Sequence, residues 1–111
     1  MSKLPNAEHA VVDLRKIRDY LLDPTHDRGK HKARVFRAAL GIGRDDAEWL
    51  RQQLFKAAAS NEAILTGRYV FGSRYQLDFT LVGLDRDVTV RSAWIILQEE
   101  TFPRFTGCYI L

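Results

Sequence analysis

Cysteine occurs once in this 111-residue chain, at Cys108, so neither an intramolecular disulfide nor a thiolate metal cluster can form. That isolated thiol points to a reducing compartment. The three histidines, at positions 9, 26 and 31, have no HExxH or His-x-Glu spacing, and there is no Gly-x-Ser-x-Gly elbow and no Walker pattern. Gly41-x-Gly43 lacks the further glycine and the preceding strand of a dinucleotide loop. No cofactor and no catalytic metal is therefore expected. Long apolar runs are also missing: nothing approaches the roughly 20 residues of a membrane span, and Met1-Ser2-Lys3-Leu4-Pro5 holds no signal-peptide core. The expectation is a cytoplasmic protein with no membrane partner, although a toxin released from a longer secreted chain has the same features.

What is present is a hydrophobic fraction of 46% with 11% aromatics, enough for one folded domain spanning residues 1–111. The formal charge is +3 but uneven: residues 1–40 carry nine Lys and Arg against five Asp and Glu, residues 41–111 eight against nine. Basicity concentrates in His26-Asp27-Arg28-Gly29-Lys30-His31-Lys32-Ala33-Arg34-Val35-Phe36, which holds two histidines and four cations. Imidazole moves protons near neutral pH and cations neutralise phosphate, so this segment carries the groups that phosphodiester chemistry needs. The competing reading is a solvated basic helix face.

Asp13 reads as the N-cap of a first helix over 14–22, with Leu14, Ile17 and Leu21 at helical spacing until Asp23-Pro24 stops it. A second helix starts near Asp27 or Gly29, turns Ala33, Phe36 and Leu40 inward and Lys30, Arg34 and Arg37 to another face, and ends at Gly41-Ile42-Gly43. A third follows Asp45 or Asp46, with Ala47, Leu50, Leu54 and Ala57 or Ala58 as its stripe and Trp49 off it, free to pack on a neighbour. Beyond Ser60-Asn61 the apolar period switches from 3.6 to 2. Strands are predicted at 62–70, 74–82, 87–97 and 104–110, with turns at Phe71-Gly72-Ser73 and Leu84-Asp85-Arg86-Asp87. The third of them is apolar on both faces and so central. The predicted fold is α+β: three N-terminal helices packed on a four-stranded antiparallel meander.

Six fragments share an order and spacing: Leu4-Pro5-Asn6-Ala7; Tyr20-Leu21-Leu22; His26-x-x-Gly29-x-x-Lys32-Ala33-x-x-Phe36; Tyr75 after Gly72; Val90-Arg91-x-x-Trp94-Ile95; and Pro103-Arg104 ahead of Tyr109. Together they resemble an uncharacterised bacterial domain family found as short stand-alone proteins and at the C-termini of polymorphic toxins. Helices followed by an antiparallel sheet are also similar to the metal-independent RNase fold of barnase and the tRNA-cleaving colicins, an analogy of fold alone. One departure stands out. The family pattern places a threonine two residues before the last tyrosine, where this chain has Gly107, with Thr106 one place earlier and on the other face of a regular strand.

Metal-independent RNA cleavage needs a base for the 2′-hydroxyl, donors for the phosphorane and an acid for the departing oxygen. His26, in the loop before the second helix, is the candidate for proton transfer; its competing reading is a loop histidine bonded to backbone beside Pro24. His31 is the weaker candidate for the same role. Lys32, within the shared pattern, suits a phosphate, against the alternative of a lysine stem covering Phe36. Arg91 lies mid-strand among apolar residues and needs a carboxylate, carbonyls or a phosphate, with Asp78 or Glu62 as structural partners. Arg104 begins the last strand on the nominal face of Thr106 and Cys108. The expected catalytic set is thus His26, Lys32, Arg91, Arg104 and Thr106, beside a nucleic-acid-binding stripe of Lys30, His31, Arg34 and Arg37. Trp94 and Tyr109 read as core, and Cys108 as a small buried hydrophobe.

The leading expectation is a toxin-like domain that cleaves RNA without metal and is neutralised by a cognate immunity or antitoxin protein. The alternative is a non-catalytic protein- or nucleic-acid-binding module. Oligomeric state is not encoded in any motif here.

Overall fold

The computed structural model describes residues 2–111. Asp13 accepts the Arg15 N–H at 2.9 Å and starts helix α1, Leu14–Lys16, which widens into a π turn at Ile17–Leu21 closed by the Leu22 N–H on the Ile17 carbonyl at 2.8 Å. Helix α2, Lys30–Leu40, ends where Gly41 takes a left-handed φ of 71° and its N–H bonds the Arg37 carbonyl. Asp46 then fixes the next corner, because its carboxylate accepts the Gly43 N–H at 2.9 Å while its own N–H returns to the Gly43 carbonyl. Helix α3, Ala47–Ser60, buries Ala47, Leu50, Leu54, Ala57 and Ala58, the stripe read from periodicity. Trp49, expected to find a neighbour, stays 43% exposed.

The strands are β1 (Ser2–Lys3), β2 (Glu62–Tyr69), β3 (Gly72–Val82), β4 (Asp87–Leu97) and β5 (Arg104–Ile110), joined in the antiparallel order β1-β2-β3-β4-β5. The sheet therefore has five strands where four were predicted. The extra one, β1, pairs Ser2 with Ala63 and Lys3 with Glu62, and two residues are too few to show an alternation. The β2–β3 turn is also tighter than predicted. Gly72 already pairs with Tyr69 and Leu97, and a Cβ there would run into the Ile96 carbonyl, which reserves the position for glycine.

One sheet face carries Leu77, Phe79, Leu81, Val88, Val90, Trp94, Phe105 and Cys108 into a core shared with Ile17, Leu21, Phe36, Leu50 and Leu54 from the helices. Each fully buried large apolar side chain contributes about 1.5–3 kcal/mol relative to exposure. Ser92, the buried polar residue of this core, donates to the Leu77 carbonyl at 2.7 Å and accepts the Trp94 indole N–H at 2.9 Å. Among the described residues no buried side-chain N or O lacks a partner. The opposite sheet face displays Thr80, Thr89, Arg91 and Tyr109 to varying degrees of exposure.

Candidate anion-binding site

Helices α1 and α2 meet the β5 edge around a hollow of about 200 Å³ lined by Lys16, Tyr20, Leu21, Lys32, Phe105, Thr106 and Gly107. Lys16, the last residue of α1, and Tyr20, in the π turn that continues it, stand four residues apart and so share a side, Lys32 comes from the first turn of α2, and Leu21 and Phe105 make the apolar floor. Thr106 enters by a bulge: Trp94 pairs with Phe105 and Ala93 with Gly107, which leaves Thr106 as the additional residue in β5. The bulge cancels the alternation, so Thr106 and Gly107 both line the hollow. Among the described residues the lining holds two lysines, the Tyr20 hydroxyl and Thr106, whose hydroxyl donates to the Ala93 carbonyl at 3.0 Å, and no carboxylate. An anion 4 Å from either lysine gains about 1 kcal/mol in open water and about 4 kcal/mol at the effective dielectric of a partly enclosed surface.

His26 stands behind the Tyr20 wall, their ring centroids 4.5 Å apart at 55°. Its Nδ1 accepts the N–H groups of Arg28 at 3.0 Å and Gly29 at 3.1 Å, so the neutral ring carries its proton on Nε2. The imidazole thereby satisfies backbone donors at the entrance to α2, as a Ser or Asp cap would. The lone pair a general base needs is committed to the backbone. Gly29 is equally fixed, because a Cβ would collide with the Tyr20 carbonyl. The His26-x-x-Gly29-x-x-Lys32 spacing thus sets the approach of α2 to α1 and delivers Lys32 to the hollow.

The two strand arginines expected at the site, Arg91 and Arg104, are ion-paired. Arg91 grips Asp78, its direct cross-strand neighbour, with Nε and Nη2 both at 2.9 Å. Its pKa is raised, first by that carboxylate and then by the Tyr109 hydroxyl, from the residue paired with it on β5. Tyr109 itself is 43% exposed, not core as expected, and the Lys32 Nζ lies 5.7 Å from its ring centroid. Asp78, Arg91, Tyr109 and Lys32 therefore form one lateral series from the sheet to the hollow. Arg104 binds Glu100 through two 2.7 Å hydrogen bonds and lies over the Phe102 ring, outside the lining. Because of the bulge it does not share a face with Cys108, which points into the core, where burial pushes its thiol up to about 12 against a smaller opposing effect of Lys32.

The basic stripe is divided by its own helix. His31 flanks Lys32 at a smaller hollow of about 150 Å³ that Val35, Phe36, Tyr109 and Ile110 complete. Arg34 and Arg37 line a separate groove with Arg44, and Lys30 lines neither. Of the residues picked from sequence, Lys32 and Thr106 come together, His26 supports their neighbour Tyr20, and Arg91 connects through Tyr109. Sequence reasoning overlooked Lys16, Tyr20 and Gly107 as lining residues. The signal for Tyr20 was its place in the shared pattern, and for Lys16 its helical spacing from Tyr20.

The chain belongs to the DUF6883 family: the model of this domain of unknown function (DUF6883) matches residues 3–111. No curated protein and no solved structure matches it. Among the described residues no group of three or more His, Cys, Asp or Glu is placed to hold a metal ion, and no helix is long and apolar enough to cross a membrane.

Proposed function

We propose that this domain binds RNA as a toxin-like module, seating one backbone phosphate between Lys16 and Lys32. The observation that carries this reading is the meeting of two lysines with the Tyr20 hydroxyl in a hollow whose described lining holds no carboxylate. Its volume of about 200 Å³ is below the range of roughly 300–1,000 Å³ that takes a whole drug-sized ligand, and suits a phosphate with part of its ribose. A cognate inhibitor would be acidic where it covers these two lysines.

Metal-independent cleavage is the stronger form of the same proposal. The lysines would stabilise the phosphorane, while the Tyr20 hydroxyl, which shares their lining, would give its proton to the departing 5′-oxygen and be reprotonated by the one that the attacking 2′-hydroxyl releases. His26 is a positioning residue in this scheme, since its Nδ1 holds the α2 entrance.

The test is anisotropy of a labelled single-stranded RNA with wild type, Lys16→Ala, Lys32→Ala and the double variant across a salt series. Each lost phosphate contact should lower the salt slope by about 0.7. Unchanged affinity and slope in the double variant would remove the hollow from the footprint. Gel analysis of the same RNA in excess chelator separates the two forms: fragments ending in cyclic phosphate support cleavage, and intact RNA that remains bound leaves recognition alone.

A further inference from the structure

On the far side of α2 from the hollow runs a groove of about 490 Å³ that the RNA reading does not use. Its lining is Leu22, Pro24, Ala33, Ala38, Ile42 and Gly43 with Arg34, Arg37 and Arg44. Three guanidinium groups thus border an aliphatic floor, and no carboxylate is among the lining residues. The arrangement is built. Ile42 is 8% exposed and anchors the corner after α2, and the reciprocal Gly43–Asp46 bonds fix the far wall. Arg44 is aimed by Asp19 at 2.7 Å and the Arg18 carbonyl at 3.1 Å. The Arg37 Nη1 lies 2.9 Å from where a Cβ on Gly43 would stand, so the absence of that side chain lets the guanidinium lie against the backbone. Among the described residues neither Arg34 nor Arg37 is engaged by a carboxylate.

We infer that this groove binds a free amphiphilic anion, an aliphatic body ending in one phosphate or carboxylate. The aliphatic part lies along the exposed Pro24 and Ala38, over the buried Leu22, Ala33 and Ile42, and the head group takes the guanidinium forks of Arg34 and Arg37. The volume lies within the range of small-molecule sites. A nucleotide fits the floor poorly, since the lining offers no aromatic face for a base to stack on.

The test is a ¹H–¹⁵N titration of the whole chain with octyl phosphate below its micelle concentration, beside octanol and inorganic phosphate. Octyl phosphate should shift the amides of Ala33, Arg34, Ala38 and Gly43 and bind more tightly than either control. Octanoate should bind at the same amides if a carboxylate serves, and its failure restricts the head group to phosphate within the proposal. Arg34→Gln with Arg37→Gln, both exposed positions, should weaken it about tenfold or more with the spectrum otherwise unchanged. Ala38→Trp, on the exposed rim, should block it by filling the groove.

Equal binding of octanol or of inorganic phosphate overturns the inference, as does displacement of octyl phosphate by single-stranded RNA. Binding to phosphatidylglycerol vesicles without binding of free octyl phosphate also overturns it, in favour of a membrane surface. Lys16→Ala and Lys32→Ala leave this groove intact, so its failure and that of the RNA reading are distinguishable.

Discussion

The Tyr20 carbonyl fills the position that a Cβ on residue 29 would take. Helix α2 can therefore dock on the α1 π turn only if glycine stands at its entrance, and that docking carries Lys32 to Lys16 and Tyr20. Gly29→Ala should cost about 1–3 kcal/mol through forced backbone displacement. Gly107 is the internal control, because a Cβ there meets nothing within 4 Å. Gly107→Ala should stay within about 0.5 kcal/mol of wild type. Urea midpoints at equal slope decide it, and equal midpoints for the two variants would mean α2 docks with more freedom than this geometry allows.

Acid should loosen the helical half through Asp19. Its carboxylate accepts from both Arg18 and Arg44, and these hydrogen bonds hold its pKa well below the ordinary 3.8. Asp13, Asp23 and Glu100 are lowered as well, Asp13 by Arg15, Asp23 by Thr25 and Glu100 by Arg104. A depressed folded value makes the stabilising contribution complete above the unfolded pKa, near 3.9–4.3, and removes it as pH falls through the folded value. The contribution of these four carboxylates should thus be level from pH 7 to 5 and decline below about pH 4, with a shallower decline in Asp19→Asn. Denaturant midpoints along a pH series measure this, and an identical profile for the variant would show the pair to be inert, as exposed pairs often are.

Cys108 should be silent in the native protein. Burial raises its thiol to about 12, leaving almost no thiolate at neutral pH, and the core admits no reagent. Iodoacetamide should modify it only after unfolding, at a rate that follows denaturant concentration. Rapid labelling without denaturant would mean that β5 opens from the sheet.

Helices α2 and α3 and strands β2 to β5 were legible because each is long enough to express its period, whereas the helix expected over 14–22 is a three-residue α1 that passes into a π turn. Asp87–Leu97 and Arg104–Ile110 match the residues read from alternation, and Asp13 caps α1 as its identity foretold. Strand β1 was not, because two residues express no period. The site was half legible for a related reason. Residue type located Lys32 and Thr106, but alternation placed Arg104 and Cys108 on one face, and the bulge at Thr106 reversed that relation. Tyr109 was misplaced because an aromatic in an alternating strand reads as core, whereas Arg91 and Lys32 hold it at the surface. The division of the basic stripe between two faces of α2 depends on which neighbours flank each face, which helical periodicity alone does not specify.

His26 separates positioning from proton transfer. Its Nδ1 accepts the Arg28 and Gly29 N–H groups, a task that an Asn or Asp oxygen can perform and an alanine methyl cannot. His26→Ala should cost about 0.5–2 kcal/mol, by analogy with a lost N-cap, and on the RNA-binding proposal should weaken that binding because the α2 entrance no longer holds Tyr20 and Lys32 together. His26→Asn and His26→Asp should recover most of the stability and, with it, the affinity. If the protein cleaves RNA, recovery of the rate by Asn assigns the imidazole a positioning role, since an amide exchanges no proton near neutral pH. Stability regained without the rate would instead return proton transfer to His26 and require the ring to leave its backbone partners during the reaction.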